Sequence, residues 1–158
     1  MSDYERAMEV MKELFSKDCV YALATSNNSR PSLRMVDAYY EDGSFYVVTY
    51  AGSTKVKDLQ VNKNVSLCSK GYCFEGSACL IGHPLAPSNS HIREKLIQVF
   101  EPWYFKHNNE GDEAMCYVKI DLEHGFFYKD GTGYKVNYAD RTAEVFPFIF
   151  DIVFPDYK

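Results

Sequence analysis

The chain has 158 residues, a length typical of one domain, and 17 basic against 22 acidic side chains give it a net charge of -5. Because no basic block interrupts this acidic composition, a nucleic acid is excluded as the expected partner. Aromatic residues make up 16% of the chain, which excludes a disordered protein and indicates aromatic surface covered by a ligand or a second subunit. We therefore predict one domain over residues 1–158.

The first segment predicts an amphipathic helix near residues 3–16. Ser2 and Glu5 have the spacing of a capping box, and apolar residues then recur every three or four positions up to Phe15. The segment lacks the order of a signal peptide, and no apolar run approaches the roughly 20 residues that span a bilayer. We expect a cytoplasmic protein with no membrane partner.

From Cys19 onward the apolar period changes to two, which predicts antiparallel strands separated by polar turns. Helices interrupt the strands near residues 53–62 and 89–105, and Gly76 indicates a bulge or a close backbone approach. The strand segments are CVYALAT, SLRMVDAYY, SFYVVTY, VSLCSK, YCFEGSACLIG, MCYVKIDL, GFFYKD and YKVNY, with a last one over residues 146–154. This order predicts an α+β, mainly β fold: a β-barrel with two or three peripheral helices.

The cysteines and the absent motifs exclude several chemistries. The five cysteines, an odd number without a Cys-x-x-Cys pair, fit small buried side chains in a reducing compartment better than a disulfide framework. The sequence lacks the signatures of esterases, zinc peptidases, P-loop proteins and EF-hands, and its four histidines are scattered. We predict no metal site and identify no catalytic residue.

A group of polar and basic residues predicts an anion site where the short helix begins. Arg34 lies on the second strand, Thr49 ends the third, and Ser53, Thr54 and Lys55 open the helix. A helix N-terminus offers free N–H groups and the positive end of its dipole, the hydroxyls add donors, and the cations add charge. Together these groups have the chemistry that binds one phosphate.

The same residues also fit a purely structural interpretation. Ser53 would then be only an N-cap, and Lys55 a solvated side chain. Arg34 would lie on the barrel surface, paired with Asp37 or Glu41. Spacing alone leaves both interpretations open.

The segment SLRMVDAYYEDGSFYVVTYAGSTKVKDLQVNKNVSLC resembles the core of the pyridoxamine 5'-phosphate oxidase-like FMN-binding split-barrel family. The shared pattern is a strand Arg, an acidic-Gly hairpin, a strand ending in Thr, a Ser-x-Lys helix start, a Leu, and an Asn before a Val-rich strand. Downstream, FEPWYFKHNNEGDEAMCYVKIDLEHGFFYKDGTGYKV resembles the general-stress-protein subgroup of this family. The resemblance covers residues 3–138.

This resemblance implies an FMN-binding split barrel and assigns residues to the cofactor. Arg34, Ser53 and Lys55 would contact the FMN phosphate with help from Thr49, and the strand backbone from Met35 to Asp37 would line the isoalloxazine with Tyr50 nearby. The full set of implied cofactor-binding residues is Arg34, Met35, Val36, Asp37, Thr49, Tyr50, Ser53, Thr54 and Lys55.

Departures from the family pattern bear on the reaction. Pyridoxine-phosphate oxidases carry an Arg between the Ser and the Lys, where this chain has Thr54, and they end in a basic segment, whereas Arg141 is the only arginine here after Tyr138. Vitamin B6 oxidation is therefore disfavoured. The resemblance implies an FMN-dependent oxidoreductase that reduces a small electrophile, such as a nitroaromatic or a quinone, with electrons from NAD(P)H. The alternative is a flavin-binding or stress-related protein without turnover.

The resemblance also implies a homodimer with FMN between the subunits, which would explain the high aromatic content of the chain. In the last strand segment, aromatic and aliphatic residues stand at every second position, so either the core or a partner must cover them. These residues are Phe146, Phe148, Phe150, Ile152 and Phe154. Trp103 and Tyr104 have a similar ambiguity, between packing at a helix end and covering the other chain's flavin.

Overall fold

The computed structural model describes residues 1–151. Its elements in chain order are α1 (Asp3–Phe15), β1 (Cys19–Asn27), β2 (Arg30–Glu41), β3 (Ser44–Tyr50), α2 (Thr54–Val61), β4 (Asn64–Ser69), β5 (Tyr72–Gly82), α3 (Ser90–Val99), α4 (Tyr104–His107), β6 (Met115–Lys129), β7 (Thr132–Asn137) and β8 (Thr142–Pro147). Within the described range, no helix is long and apolar enough to cross a membrane.

Strand pairing closes the barrel. The strands follow the order β3-β2-β1-β4-β5-β6, and β3 also pairs with β6, so that six strands form a ring. β7 and β8 extend the sheet from β6, and every pairing is antiparallel. The predicted α+β, mainly β split barrel with peripheral helices is confirmed.

The two ends of the barrel are closed by helices. α1 begins with the predicted capping box of Ser2 and Glu5, and its last residue, Phe15, packs edge-on against the rings of Phe45 and Phe74. α2 packs against β1 and β5 and contributes Leu59 to the same core. The interior between these helices is filled by alternate strand residues, as the two-residue period predicts.

A second apolar cluster lies outside the barrel, beneath α3 and α4. There Leu96, Phe100 and Tyr104 pack on Tyr39 of β2 and Tyr117 of β6. The prediction of a single helix over residues 89–105 is wrong, because α3 ends at Val99 and α4 begins at Tyr104. Proline has no N–H group to continue the helical hydrogen bonds, and the intervening segment contains Pro102.

The predicted break between MCYVKIDL and GFFYKD is also wrong, because both segments belong to the single strand β6. Leu122 pairs with Gly76 and His124 with Glu75, so Glu123 is an extra residue in the ladder. This bulge accommodates the polar residues that resemble a loop in the sequence. The irregularity predicted at Gly76 is confirmed.

Gly76 also allows the two strands to approach closely. A Cβ at this position would clash with the backbone oxygen of Asp121. We expect Gly76→Ala to lower the free energy of unfolding by about 1 to 3 kcal/mol, because the strands must separate to admit it. Gly52→Ala is the matched control, since nothing lies within 4 Å of its added Cβ. Urea unfolding of both variants checks this prediction, and equal stabilities would contradict it.

The last strand is displaced from its predicted bounds of residues 146–154, because β8 begins at Thr142 and ends at Pro147. Phe146, Phe148 and Phe150 pack against the outer face of β6, where Phe126 and Tyr128 lie 5.0–6.1 Å away between ring centroids. Packing within the chain therefore accounts for these three aromatic residues. Ile152 and Phe154 lie outside the described residues.

The cysteines are less uniformly buried than their number and spacing in the sequence predict. Cys116 is buried and Cys19 and Cys79 are half-buried, but Cys68 and Cys73 are exposed. The prediction of small buried thiols is therefore wrong for these two residues. Both lie on the outer face of the β4–β5 hairpin, because Leu67 and Phe74 beside them fill the inner face.

Candidate functional site

Four of the predicted residues form a polar cluster at the barrel end that α2 covers. Lys55 Nζ donates a hydrogen bond to Thr49 Oγ1 at 2.9 Å, and the Thr49 and Ser53 hydroxyl oxygens lie 3.3 Å apart. Burial, and to a lesser degree the charge of nearby Arg34, lowers the pKa of Lys55. A bound anion would relieve the repulsion between these two cations, so we name Arg34, Thr49, Ser53 and Lys55 the cation cluster.

Strand alternation brings these residues together. Arg34 stands two positions before the core residue Val36 on β2, and Thr49 stands two positions after the core residue Val47 on β3. Both side chains therefore extend the inner face of the barrel towards α2. Ser53 caps α2, because its Oγ accepts a hydrogen bond from Val56 N at 3.4 Å.

Arg34 is held by residues that the sequence analysis did not identify. Its guanidinium donates to Thr25 Oγ1 at 2.7 Å and to Leu23 O at 3.2 Å, and it lies 3.7 Å from Asp58 Oδ2. The Thr25 hydroxyl in turn donates to Asp58 Oδ2 at 2.7 Å. Asp58 is only 3% exposed, so this carboxylate fixes the arginine from within the barrel. Arg34 is thus an end-of-barrel residue and not a surface one.

The structural interpretation of Arg34 predicted the wrong carboxylate as its ion-pair partner. The arginine pairs with Asp58, and neither Asp37 nor Glu41 is its partner, since Asp37 faces away and Glu41 contacts His91. A sequence signal for Asp58 exists, because it is a charged residue within the buried face of α2, beside Leu59.

The other predicted cofactor residues lie around the cation cluster without joining it. The Met35 side chain is 65% exposed on the outer face of β2, whereas Val36 points into the core. Thr54 is exposed at the first residue of α2. Tyr50 is directed to the end of α4, where its hydroxyl donates to His107 O at 3.5 Å and accepts from Asn109 N at 3.4 Å.

Trp103 and Tyr104 both have packing partners in their own chain. The Trp103 ring stacks on Phe100 at 4.5 Å, and its Nε1 donates to Asp18 Oδ2 at 2.8 Å. The Tyr104 hydroxyl is buried and bonded to that of Tyr117. Of the two interpretations, helix-end packing describes these contacts. In residues 1–151, no group of three or more His, Cys, Asp or Glu side chains could hold a metal ion.

Two carboxyl groups meet beside the backbone of β2. Burial, followed by a hydrogen bond to Asp18 and its negative charge, raises the pKa of Asp37 to about 6. The protonated Asp37 can donate a hydrogen bond to Asp18, whereas the ionised form repels it. Because the pKa is raised in the folded state, the stabilisation exists at low pH and is lost as the pH rises through about 6.

We expect Asp37→Asn to stabilise the protein at pH 7.5 and to have little effect near pH 4, where Asp37 already carries its proton in the wild type. Asp37 is only half-buried, so screening by solvent limits the gain to about 1 to 2 kcal/mol. Thermal unfolding at both pH values measures the difference. Glu94→Gln, at an exposed position on α3, is the control. A gain that does not depend on pH would contradict the coupling.

An apolar surface strip lies next to the cation cluster, on the outer face of β1 and β2. Val20, Leu33 and Met35 are 49%, 70% and 65% exposed. Strand pairing sets Ala22 beside Met35 and Ala24 beside Leu33, which makes the strip continuous. We call these five residues the outer strip.

Comparison with protein families identifies the family of this chain. The family model described as pyridoxamine 5'-phosphate oxidase matches residues 7–128. This segment contains the whole cation cluster and all six strands of the closed barrel, although it ends one residue before β6 does. No curated protein gives a significant sequence match.

Several solved structures resemble this one. General stress protein 26 of Bacillus anthracis is 20% identical, with a TM-score of 0.57 over 90% of this chain and 99% of that one. A pyridoxamine 5'-phosphate oxidase-related, FMN-binding protein of Nostoc punctiforme is 12% identical, with a TM-score of 0.56 over 94% and 98%. The haem storage protein HutZ of Vibrio cholerae is 14% identical, with a TM-score of 0.60 over 82% and 96%. At these identities, the likeness shows a shared fold.

Proposed function

The chain belongs to the pyridoxamine 5'-phosphate oxidase family, and from this membership and the cation cluster we propose that it binds FMN and acts as an oxidoreductase. The substrate would be a small electrophile such as a nitroaromatic or a quinone, and NAD(P)H would donate the electrons. The flavin would supply hydride transfer, and the protein would hold and orient it.

The observation that carries this proposal is the pairing of two cations at a helix N-terminus. Lys55 is half-buried and Arg34 is anchored by Asp58, so both charges stay near Ser53 and the first N–H groups of α2. A phosphate there would accept charge-assisted hydrogen bonds from both cations and from the Ser53 hydroxyl. A solvated lysine and a simple N-cap do not account for the burial of Lys55.

The structural likeness to an FMN-binding protein of Nostoc punctiforme supports flavin over other phosphate ligands. In our proposal, the FMN phosphate lies at the cation cluster and the isoalloxazine follows the backbone of β2 from Met35 to Asp37. The exposed outer strip begins at this backbone. Its apolar residues would cover the flavin only together with a second copy of the chain.

We therefore propose that the protein is a homodimer with FMN between its subunits. The outer strip combines three large exposed apolar residues with two alanines on a regular sheet face, which is the surface that an isologous contact buries. We expect Leu33→Asp combined with Met35→Asp to yield monomers in sedimentation velocity at micromolar concentration. Leu85→Asp, in the loop after β5, is the control because Leu85 is also exposed. A monomeric wild type would contradict the dimer.

The flavin assignment is tested on the purified protein, first by absorption and then by chromatography of the released chromophore. We expect FMN in the preparation or saturable binding of added FMN. Anaerobic bleaching by NADPH or NADH then separates an oxidoreductase from a flavin-binding protein without turnover, since only the former accepts electrons rapidly. The proposal would be contradicted if the protein is colourless as purified, does not bind added FMN and binds added haem. That result would favour the function named for HutZ.

A further inference from the structure

The two exposed cysteines face each other across the β4–β5 hairpin. Cys68 pairs with Cys73 in the strand register, and their sulfur atoms are 3.9 Å apart. The turn between the strands consists of Lys70 and Gly71, with φ angles of 52° and 82°, which is the geometry of a two-residue type I′ turn.

This position in the hairpin suits a disulfide. Ser69 and Tyr72 flank the turn and form its hydrogen-bonded pair, so the next pair, Cys68 and Cys73, is not hydrogen-bonded. The Cα atoms of such pairs are about 4.5 Å apart, which lies within the range that disulfides span. The sulfur atoms can therefore approach by side-chain rotation without a change of the backbone.

The surroundings keep the hairpin in place while the thiols remain accessible. The Tyr128 hydroxyl donates to Lys70 O at 2.6 Å, and the Phe150 ring packs so closely on Gly71 that a Cβ would clash with it. Cys73 also lines an open groove of about 630 Å³ formed by β5, β6, β7 and β8, through which a small oxidant or reductant can reach it.

We propose that Cys68 and Cys73 form a reversible intramolecular disulfide, with a hydroperoxide as the oxidant and a dithiol as the reductant. One thiolate attacks the O–O bond, which breaks to give a sulfenic acid and an alcohol, or water from hydrogen peroxide. The second thiol attacks the sulfenic sulfur and releases water. Two thiols and one hydroperoxide thus become one disulfide, one alcohol or water, and one water.

This chemistry differs from that of the cation cluster. The hairpin requires no flavin, and its sulfur atoms belong to β4 and β5, whereas the cluster belongs to β2, β3 and α2. Burial and the neighbouring Cys68 raise the pKa of Cys73. Because the thiolate is the reactive form, oxidation should become faster as the pH rises above neutral.

The test treats the reduced, purified protein with an equimolar amount of hydrogen peroxide and then measures free thiols and intact mass. We expect the wild type to lose two of its five thiols and the mass of two hydrogen atoms, and dithiothreitol to restore both. Peptide mapping should join Cys68 to Cys73. Cys79→Ser, at another β5 cysteine, should behave as the wild type.

Cys68→Ser and Cys73→Ser each remove one partner at an exposed site, so both variants should fold, as their circular dichroism will show. Neither should form the intramolecular bridge, and the remaining thiol should oxidise to oxygen adducts. A wild type that keeps five thiols, a bridge that maps to other cysteines, or a disulfide between two chains as the main product would overturn the proposal.

Discussion

Replacing Arg34 and Lys55 together with alanine is expected to lower the affinity for FMN by about two to four orders of magnitude. Each cation would contribute a charge-assisted contact with the phosphate of about 1.5 to 3 kcal/mol, and the two losses add if the contacts are independent. Fluorescence titration of FMN measures the change. Arg30→Ala with Lys57→Ala is the matched control, because it removes two exposed cations from the same strand and helix.

The single substitution Lys55→Met distinguishes a binding site from a structural contact. In the free protein, burial and the charge of Arg34 oppose the ionised lysine, as the direction of its pKa shift shows. We therefore expect this variant to unfold at the same temperature as the wild type or a higher one, while it binds FMN more weakly. If the variant with both Arg34→Ala and Lys55→Ala is folded and binds FMN with unchanged affinity, the phosphate does not bind at the cation cluster.

Asp58→Ala should strongly destabilise the protein. The substitution leaves Arg34 without its carboxylate and removes the acceptor of the buried Thr25 hydroxyl. Breaking a buried ion pair costs about 3 to 5 kcal/mol, and because the Arg34 side chain is 22% exposed, we expect about 2 to 4 kcal/mol. Urea unfolding without ligand measures the loss.

Asp58→Asn is the control for this experiment. The amide oxygen can still accept the hydrogen bond from Thr25, so only the charge is lost, and the destabilisation should be smaller than with alanine. The free energy of unfolding should therefore decrease in the order wild type, Asp58→Asn, Asp58→Ala. A loss below about 0.5 kcal/mol for Asp58→Ala would show that the arginine does not depend on this carboxylate.

The strands and the cation cluster could be predicted because both follow from local periodicity. Alternation on β1, β2 and β3 sets which residues face inward, and the Ser53 N-cap sets where α2 begins. The family pattern then assigned Arg34 and Lys55 to the same phosphate, although two turns separate them in the sequence. Spacing within one strand or helix, combined with recognised turns, contains enough information for these contacts.

Two kinds of feature could not be predicted. One is a contact between elements that are distant in the sequence, and the other is a segment whose local composition is typical of a different structure. Asp58 stands beside the apolar Leu59 in the sequence, but its partner Thr25 belongs to β1 and meets it only when α2 is docked on the barrel. Glu123 and His124 resemble a loop, because a bulge in the middle of a long strand has no local signature.

The cysteine pair could have been predicted. The predicted strand segments VSLCSK and YCFEGSACLIG meet at Lys70-Gly71, and Cys68 and Cys73 are equidistant from this dipeptide. Two residues equidistant from a two-residue turn must face each other in an antiparallel hairpin. A search for Cys-x-x-Cys alone overlooks pairs of this kind.

The closure of the barrel by β3 and β6 has a consequence for the order of folding. This closure pairs Ser44 with Asp121, which stand 77 positions apart, whereas Thr25 and Asp58 at the cation cluster are separated by 33. Loop-closure entropy and contact order both make the longer connection the slower to form. The rate of folding should therefore be limited by the ring of strands, while the segment that carries the cation cluster can organise as an early meander.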